Sequence, residues 1–214
     1  MRIGDALRLV GGGSGGTFNG NCITADISPS FVVVSTNGTT LTVNWGDGTV
    51  TEDFSMTGSD VIVSRNYGLA GTRGITFSGN AIIPMTKFNC HYNNLTYLYV
   101  GNFVGLTHLL CHNNPNLKSV DLNSNSNLIY FIGSYNSFTN IDISNTSTNF
   151  SRIDCYYNKI TSDSINSILA RIVSIGTING LAFIQNQTPT APPTGQGITD
   201  KATLQSRGWT VITD

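Results

Sequence analysis

Three histidines, four cysteines and two evenly placed aspartates are the side chains of this sequence best able to do chemistry. His91 and His112 stand 21 residues apart, each two positions ahead of an asparagine. Two imidazoles side by side begin a metal site, but zinc requires three or four close ligands. His108 lies about 13 Å from His112 if the segment between them is a strand, and no Asp or Glu shares the histidines' place in the pattern. A surface ladder of rings is therefore favoured over a metal. Asp121 and Asp142 are also 21 residues apart. Paired carboxylates can act as acid and base or hold calcium, whereas an Asp between two inward residues is simply exposed. Cys90, Cys111 and Cys155 share one place, with Gly133 in the remaining one. No Cys-x-x-Cys pair occurs, so a ladder of buried thiols is favoured over disulfides or zinc. There is no Gly-x-Ser-x-Gly elbow, and Gly11–Gly16 lacks the lysine and preceding strand of a phosphate loop. No catalytic residue, metal or cofactor is expected.

What must position these side chains is a phrase said four times: Phe88-Asn-Cys-His-Tyr-Asn93, Leu109-Leu-Cys-His-Asn-Asn114, Phe131-Ile-Gly-Ser-Tyr-Asn136 and Ile153-Asp-Cys-Tyr-Tyr-Asn158. The closing asparagines step by 21, 22 and 22 residues, and a period of this length predicts a solenoid. Met85, Phe88, Cys90 and Leu95 point inward in the first coil. Leu106, Leu109, Cys111 and Leu117 do so in the second, Leu128, Phe131, Gly133 and Phe138 in the third, and Phe150, Ile153, Cys155 and Ile160 in the fourth. Asn93, Asn114, Asn136 and Asn158 sit where each strand ends, as a buried amide ladder serving backbone groups of the turn and of the neighbouring coil. Leu98-Tyr-Val100, Val120-Asp-Leu122 and Ile141-Asp-Ile143 suggest a second short parallel strand per coil. The outward places hold Lys87, Asn89, His91, His108, His112, Tyr130, Arg152, Asp154 and Tyr156, flanked by Tyr92, Tyr135 and Tyr157. Tyr offers large contact area at low entropy cost, so this face suits a protein or glycan contact. Exposed strand positions favour Tyr in any case.

The rest of the chain divides around the repeats. Residues 1–21 contain the flexible run Gly11-Gly-Gly-Ser-Gly-Gly16 and read as an arm, either disordered or ordered against a partner. Residues 22–80 read as a small antiparallel sandwich. Its strands are Phe31–Val34, Leu41–Trp45, Val50–Phe54, Val61–Val63 and Gly74–Phe77, with turns at Asn37-Gly38 and Asp47-Gly48. Residues 81–160 are the repeats. Residues 161–214 form an α/β end cap. There Thr161 or Ser162 starts a helix that Gly176 stops, Thr199 opens a second helix, and strands at 181–184 and 209–212 extend the sheet.

Val43-Asn-Trp45-Gly46-Asp47-Gly48-Thr49, followed by Val63-Ser-Arg-Asn-Tyr67 and Ala70-Gly71-Thr72-Arg-Gly-Ile75-Thr-Phe77, resembles a polycystic-kidney-disease (PKD) repeat. Arg65 stands where that family has His, and Arg73 where it has Tyr. Trp45 is expected to plug the core, Gly46 and Gly48 to permit positive φ, and Asp47 to cap the turn. The repeat stretch resembles the short leucine-rich repeats of Bacteroidetes surface proteins and of their phages. Together these imply a mainly β protein: a PKD-like β-sandwich module capping a short leucine-rich-repeat β-solenoid with a C-terminal α/β cap.

Charged residues are 11% of the chain and the net charge is -1, which speaks against a nucleic-acid partner. Met1–Val10 is broken by Asp5 and Arg8 and does not read as a signal peptide, and no run reaches the ~18 apolar residues of a membrane span. The expectation is a non-enzymatic phage virion protein (capsid decoration, fibre or host adhesion). It would be attached to other virion proteins through its arm and would meet a host protein or glycan through the repeat face. The alternative is a bacterial secreted or cell-surface adhesin or glycan-binding protein whose leader is absent from this sequence.

Overall fold

The computed structural model describes residues 19–24, 26–69, 71–79 and 85–214. Among these the chain is mainly β, with thirteen strands and two helices in two sheets. The first third supplies β1 (Asn19–Thr24), β2 (Ser30–Val34), β3 (Thr40–Asn44), β4 (Glu52–Ser55), β5 (Val61–Ser64) and β6 (Arg73–Gly79). The repeats supply β7 (Lys87–Asn89), β8 (Leu95–Tyr99), β9 (His108–Leu110), β10 (Tyr130–Ile132) and β11 (Arg152–Asp154). Then come α1 (Ser162–Ile175), β12 (Leu181–Phe183), α2 (Gln196–Ser206) and β13 (Thr210–Ile212). The arm expected at residues 1–21, with its glycine run, lies outside the described residues up to residue 18, and Asn19–Asn21 already belong to β1.

The larger sheet has the order β13-β12-β11-β10-β9-β7-β2-β5. Neighbours are parallel from β7 to β13, and β2 and β5 join antiparallel. One buried row runs through the parallel part as direct partners: Phe88, Leu109, Phe131, Ile153, Ala182 and Val211. A slip by one residue would turn that whole row to solvent, so burial enforces the register. All sixteen residues expected to point inward between Met85 and Ile160 are buried.

The smaller sheet, β4-β3-β6-β1-β8, is antiparallel and faces the same core. A single parallel bridge, Tyr99 to Asp121, continues it. The second strand expected in each repeat is therefore missing from the later repeats, although Leu122, Ile141 and Ile143 remain buried. The cause is local. Asp121 Oδ1 accepts the Asn123 N–H (2.9 Å) and Asp142 Oδ1 accepts that of Ser144 (2.8 Å), tying the backbone into tight turns that compete with a strand.

Two further expectations change. Asn37-Gly38 does turn the chain, but it does not close the hairpin that an Asn-Gly pair signals; it carries the chain between sheets, because β2 and β3 face each other across the core through Phe31 and Val33, Leu41 and Val43. The hairpin at Asp47-Gly48 does form, but β4 begins at Glu52 and leaves Val50 exposed. Both sheets also cross the boundary read at residue 80, since β1 pairs with β8 and β2 with β7. The Phe31, Phe77, Phe88 and Phe103 rings close that junction in a chain of contacts 5.1–5.8 Å apart, each pair adding about 0.5–1.5 kcal/mol beyond area burial.

In the C-terminal part, Thr161 caps α1 by accepting the Ser164 N–H, and left-handed Gly176 (φ 76°) ends it. Ile165, Ile168, Leu169 and Ile172 form its buried face. α2 starts at Gln196 and not at Thr199. Asn166 of α1 accepts the Thr194 N–H (3.0 Å) and donates to its hydroxyl (2.9 Å), and a Cβ on Gly197 would meet Asn166 Oδ1 at 2.0 Å. Helix–helix contact thus sets that start. Among the described residues no helix is long and apolar enough to cross a membrane.

Candidate functional site

The end of each parallel strand is organised by a buried amide. Asn114 Nδ2 donates to the carbonyls of Cys90 (3.1 Å) and Cys111 (2.9 Å), Asn136 to Cys111 and Gly133 (both 3.0 Å), and Asn158 to Gly133 (2.9 Å) and Cys155 (3.1 Å). Each carboxamide oxygen accepts backbone N–H groups of the preceding turn: Asn93 and Leu95 donate to Asn114, Asn114 to Asn136, and Phe138 to Asn158. Asn93 docks instead on β2, accepting the Ser30 N–H (2.7 Å) and donating to its carbonyl (2.8 Å). Two rungs escaped the sequence pattern because the residue types change and the spacing lengthens. Gln187 donates to Cys155 (3.0 Å) and Ile184 (2.7 Å) and accepts from Ile160 (2.9 Å). The Asp214 carboxylate accepts the N–H groups of Asn186, Gln187 and Ala191.

The residue before each amide adopts the left-handed conformation: Tyr92 (φ 55°), Asn113 (58°), Tyr135 (56°), Tyr157 (54°) and Asn186 (60°). Asn tolerates this region, while a bulky side chain there is an outlier that costs free energy. The three tyrosines bear that cost and are, as whole residues, 65%, 44% and 48% exposed. Tyr135 and Tyr157 stack at 4.7 Å and 21°, with Tyr156 edge-on to both. Tyr92, Asn113, Pro115, Tyr135, Asn136, Ser137 and Tyr157 line an open groove of about 480 Å³. Asn113, Pro115 and Ser137 were not among the expected face residues; the break of the Tyr row at Asn113 was the available signal.

The histidines follow the register. His91 and His112 stack at 4.8 Å and 5°, and Tyr92 stands edge-on to both. Burial lowers both imidazoles from their ordinary value, and at His112 neighbouring His91 lowers it further while Asp154 works the other way. His91 Nδ1 is engaged by Asn89, and His108 lies edge-on to Tyr130 at 4.6 Å, apart from the pair. Among the described residues no three His, Cys, Asp or Glu side chains gather to hold a metal.

The expected face needs correction at one residue. Asp154 is only 4% exposed. Arg152 folds over it, with Nε (3.1 Å) and Nη2 (2.7 Å) both on Oδ2. Ser134, which holds the place of His91 and His112 in the third repeat, is buried too. Lys87 is half-buried and holds Asp60 at 2.8 Å, Tyr130 is exposed, and Asn89, His91, His108, His112, Arg152 and Tyr156 are half-buried.

Cys22, Cys90, Cys111 and Cys155 are free and fully buried, and burial pushes their thiols upward. At the first tight turn Trp45 is buried, Gly46 and Gly48 take φ 68° and 83°, and Asp47 Oδ1 accepts the Thr49 N–H (3.1 Å). Arg65 binds Asp47 (2.9 Å) and Glu52, and Glu52 accepts the Trp45 indole N–H (3.0 Å). Hydrogen bonds from Thr49, chiefly its hydroxyl, and the Arg65 charge hold Asp47 below its ordinary value. Arg73 lies over the Tyr67 ring at 4.7 Å. These residues make a closed structural network. No protein-family model, curated protein or solved structure matches the chain.

Proposed function

We propose that this chain is a non-enzymatic recognition protein of a phage particle. A PKD-like module would carry a short leucine-rich-repeat solenoid, and the arm ahead of β1 would anchor it to other virion proteins. The observation that carries the reading is the row of Tyr92, Tyr135 and Tyr157, held outward at positive φ on a ladder of buried amides. Rigid, exposed aromatic rings on a hydrogen-bonded frame lose little entropy when they meet a ligand. The strands recurring in register every 21–22 residues support the repeat assignment. The turn network of Trp45, Asp47 and Arg65 supports the PKD-like one.

The reading is tested by tracking the chain through virion purification and by competing particle adsorption with the isolated protein. Co-purification and competition are expected. Deleting residues 1–16, which stops short of β1, should abolish attachment and leave the fold intact. A chain absent from particles but displayed on bacterial cells would instead favour the surface-adhesin reading.

A further inference from the structure

The Tyr row is interrupted once. Going along the ladder the left-handed place holds Tyr92, Asn113, Tyr135 and Tyr157. Where the tyrosines are consecutive, at 135 and 157, their rings stack on each other. At Asn113 a ring is missing, and Tyr92 and Tyr135 stand on either side of the gap and line the same groove. The backbone ladder is continuous beneath it: Tyr92 N donates to His112 O (3.3 Å), Asn113 N to Ser134 O (3.0 Å) and Tyr135 N to Tyr156 O (3.0 Å).

We infer that this gap is a binding slot for one neutral, saturated sugar ring of a glycan, a step that rests on the recognition reading above. Width is the first reason. Two ladder steps separate the backbones of Tyr92 and Tyr135, about 9.6 Å, which sets the width between the two rings when both turn their faces to the gap. Carbon contacts of about 3.5–4.0 Å on each side leave about 2 Å for the occupant's own depth. That suits a puckered pyranose, whose C–H faces lie against aromatic rings, and is more than a flat aromatic side chain requires. Charge is the second. No Asp, Glu, Lys or Arg lines the groove, so an acidic or basic ligand finds no counter-ion. Burial and the neighbouring tyrosines push the Tyr135 hydroxyl upward, keeping it neutral. The third is the floor. The half-buried Asn113 carboxamide makes no hydrogen bond to any described residue, so both its donor and its acceptor are available to hydroxyl groups. Ser137 is already committed to Pro115 O (2.9 Å) and Asn136 to the ladder.

The test uses a variant that the fold already accommodates. Asn113→Tyr places in the gap the residue that its ladder neighbours carry at the same φ, filling the slot. Tyr92→Asn and Tyr135→Asn make the converse change. The full chain is applied to an immobilised panel of neutral hexose and N-acetylhexosamine oligosaccharides, with sialylated and sulfated counterparts. Binding to neutral members is expected, reduced roughly tenfold or more by each variant, with every variant still melting cooperatively: Asn113→Tyr somewhat lower and the two Tyr→Asn variants somewhat higher, as the cost of a bulky residue at positive φ requires. No neutral binding, or binding that Asn113→Tyr leaves intact, overturns the slot. So does adsorption to host cells that resists periodate and is lost to protease, since the partner is then a protein. Adsorption that survives Asn113→Tyr but falls with His108→Ala plus Tyr130→Ala removes the slot and leaves the wider face standing. Adsorption insensitive to both sets removes the wider reading as well.

Discussion

At the scale of single residues, the buried amides matter most to the fold. Asn114 serves five main-chain groups across two repeats, and each buried group left unpaired costs about 1–3 kcal/mol. Asn114→Ala is expected to lower stability by about 3 kcal/mol or more in urea titrations. Asn127→Ala, which removes one exposed bond to Val104 O (2.9 Å), should cost about 1 kcal/mol or less. The histidine stack gives a pH dependence. Burial places His91, His112 and, with help from Lys87, His108 below their ordinary value of 6.5 in the fold. A base with a folded pKa below its unfolded one stabilises the fold fully above the unfolded value. That contribution is lost as pH falls from there through the folded value. Stability should therefore decline as pH drops below about 6.5, and less steeply in a His91→Gln, His112→Gln double variant. Equal slopes in the two proteins would refute this account.

At the scale of the element, Gly133 shows how a repeat departs from its own consensus without losing its core. It sits in the cysteine row, yet a Cβ there would meet the Phe131 ring at 2.8 Å and the Phe138 ring at 2.9 Å. Two Phe rings fill the space that Cys111, with Leu109 and Leu117, fills one repeat earlier. Gly133→Cys, the consensus residue, should destabilise by about 1–3 kcal/mol through overpacking, and Phe138→Leu in the same chain should recover part of it. Additive losses would show that the two sites do not share this volume. The inward residues were legible in the sequence because burial imposes the same pattern on every repeat. The second strand was misread because Asp121 and Asp142 alternate correctly with their apolar neighbours but spend their carboxylates on the turn. Asp154 was misread for a related reason: alternation predicts which face a side chain leaves by, and not whether Arg152 lies over it. The groove was legible only as a Tyr-rich face, since the value of Asn113 depends on which rings stand beside it.

For the whole molecule, the two sheets make one core from the first third of the chain into the repeats. Trp45 and Trp209 report from the first third and from the C-terminal part, and both are buried. With β1 on β8 and β2 on β7, denaturant transitions followed in Trp45→Phe and Trp209→Phe variants are expected to coincide. Separated midpoints would mean that the first third unfolds independently of the rest. The buried thiols add a probe of the same unit: Cys90, Cys111 and Cys155 should label slowly in native protein and fully after unfolding.

The amide ladder also has a direction, and that direction matters on the ribosome. Each turn from Asn93 onward has N–H groups that only the following amide accepts: Asn114 for Asn93 and Leu95, Asn136 for Asn114, Asn158 for Phe138, Gln187 for Ile160. At synthesis rates of about 5–20 residues per second, a new repeat emerges every ~1–4 s. Asn93, already docked on Ser30 of β2, offers the first completed seat. The nascent chain can then advance like a ratchet, leaving one turn waiting for its partner at any moment while every earlier turn is closed.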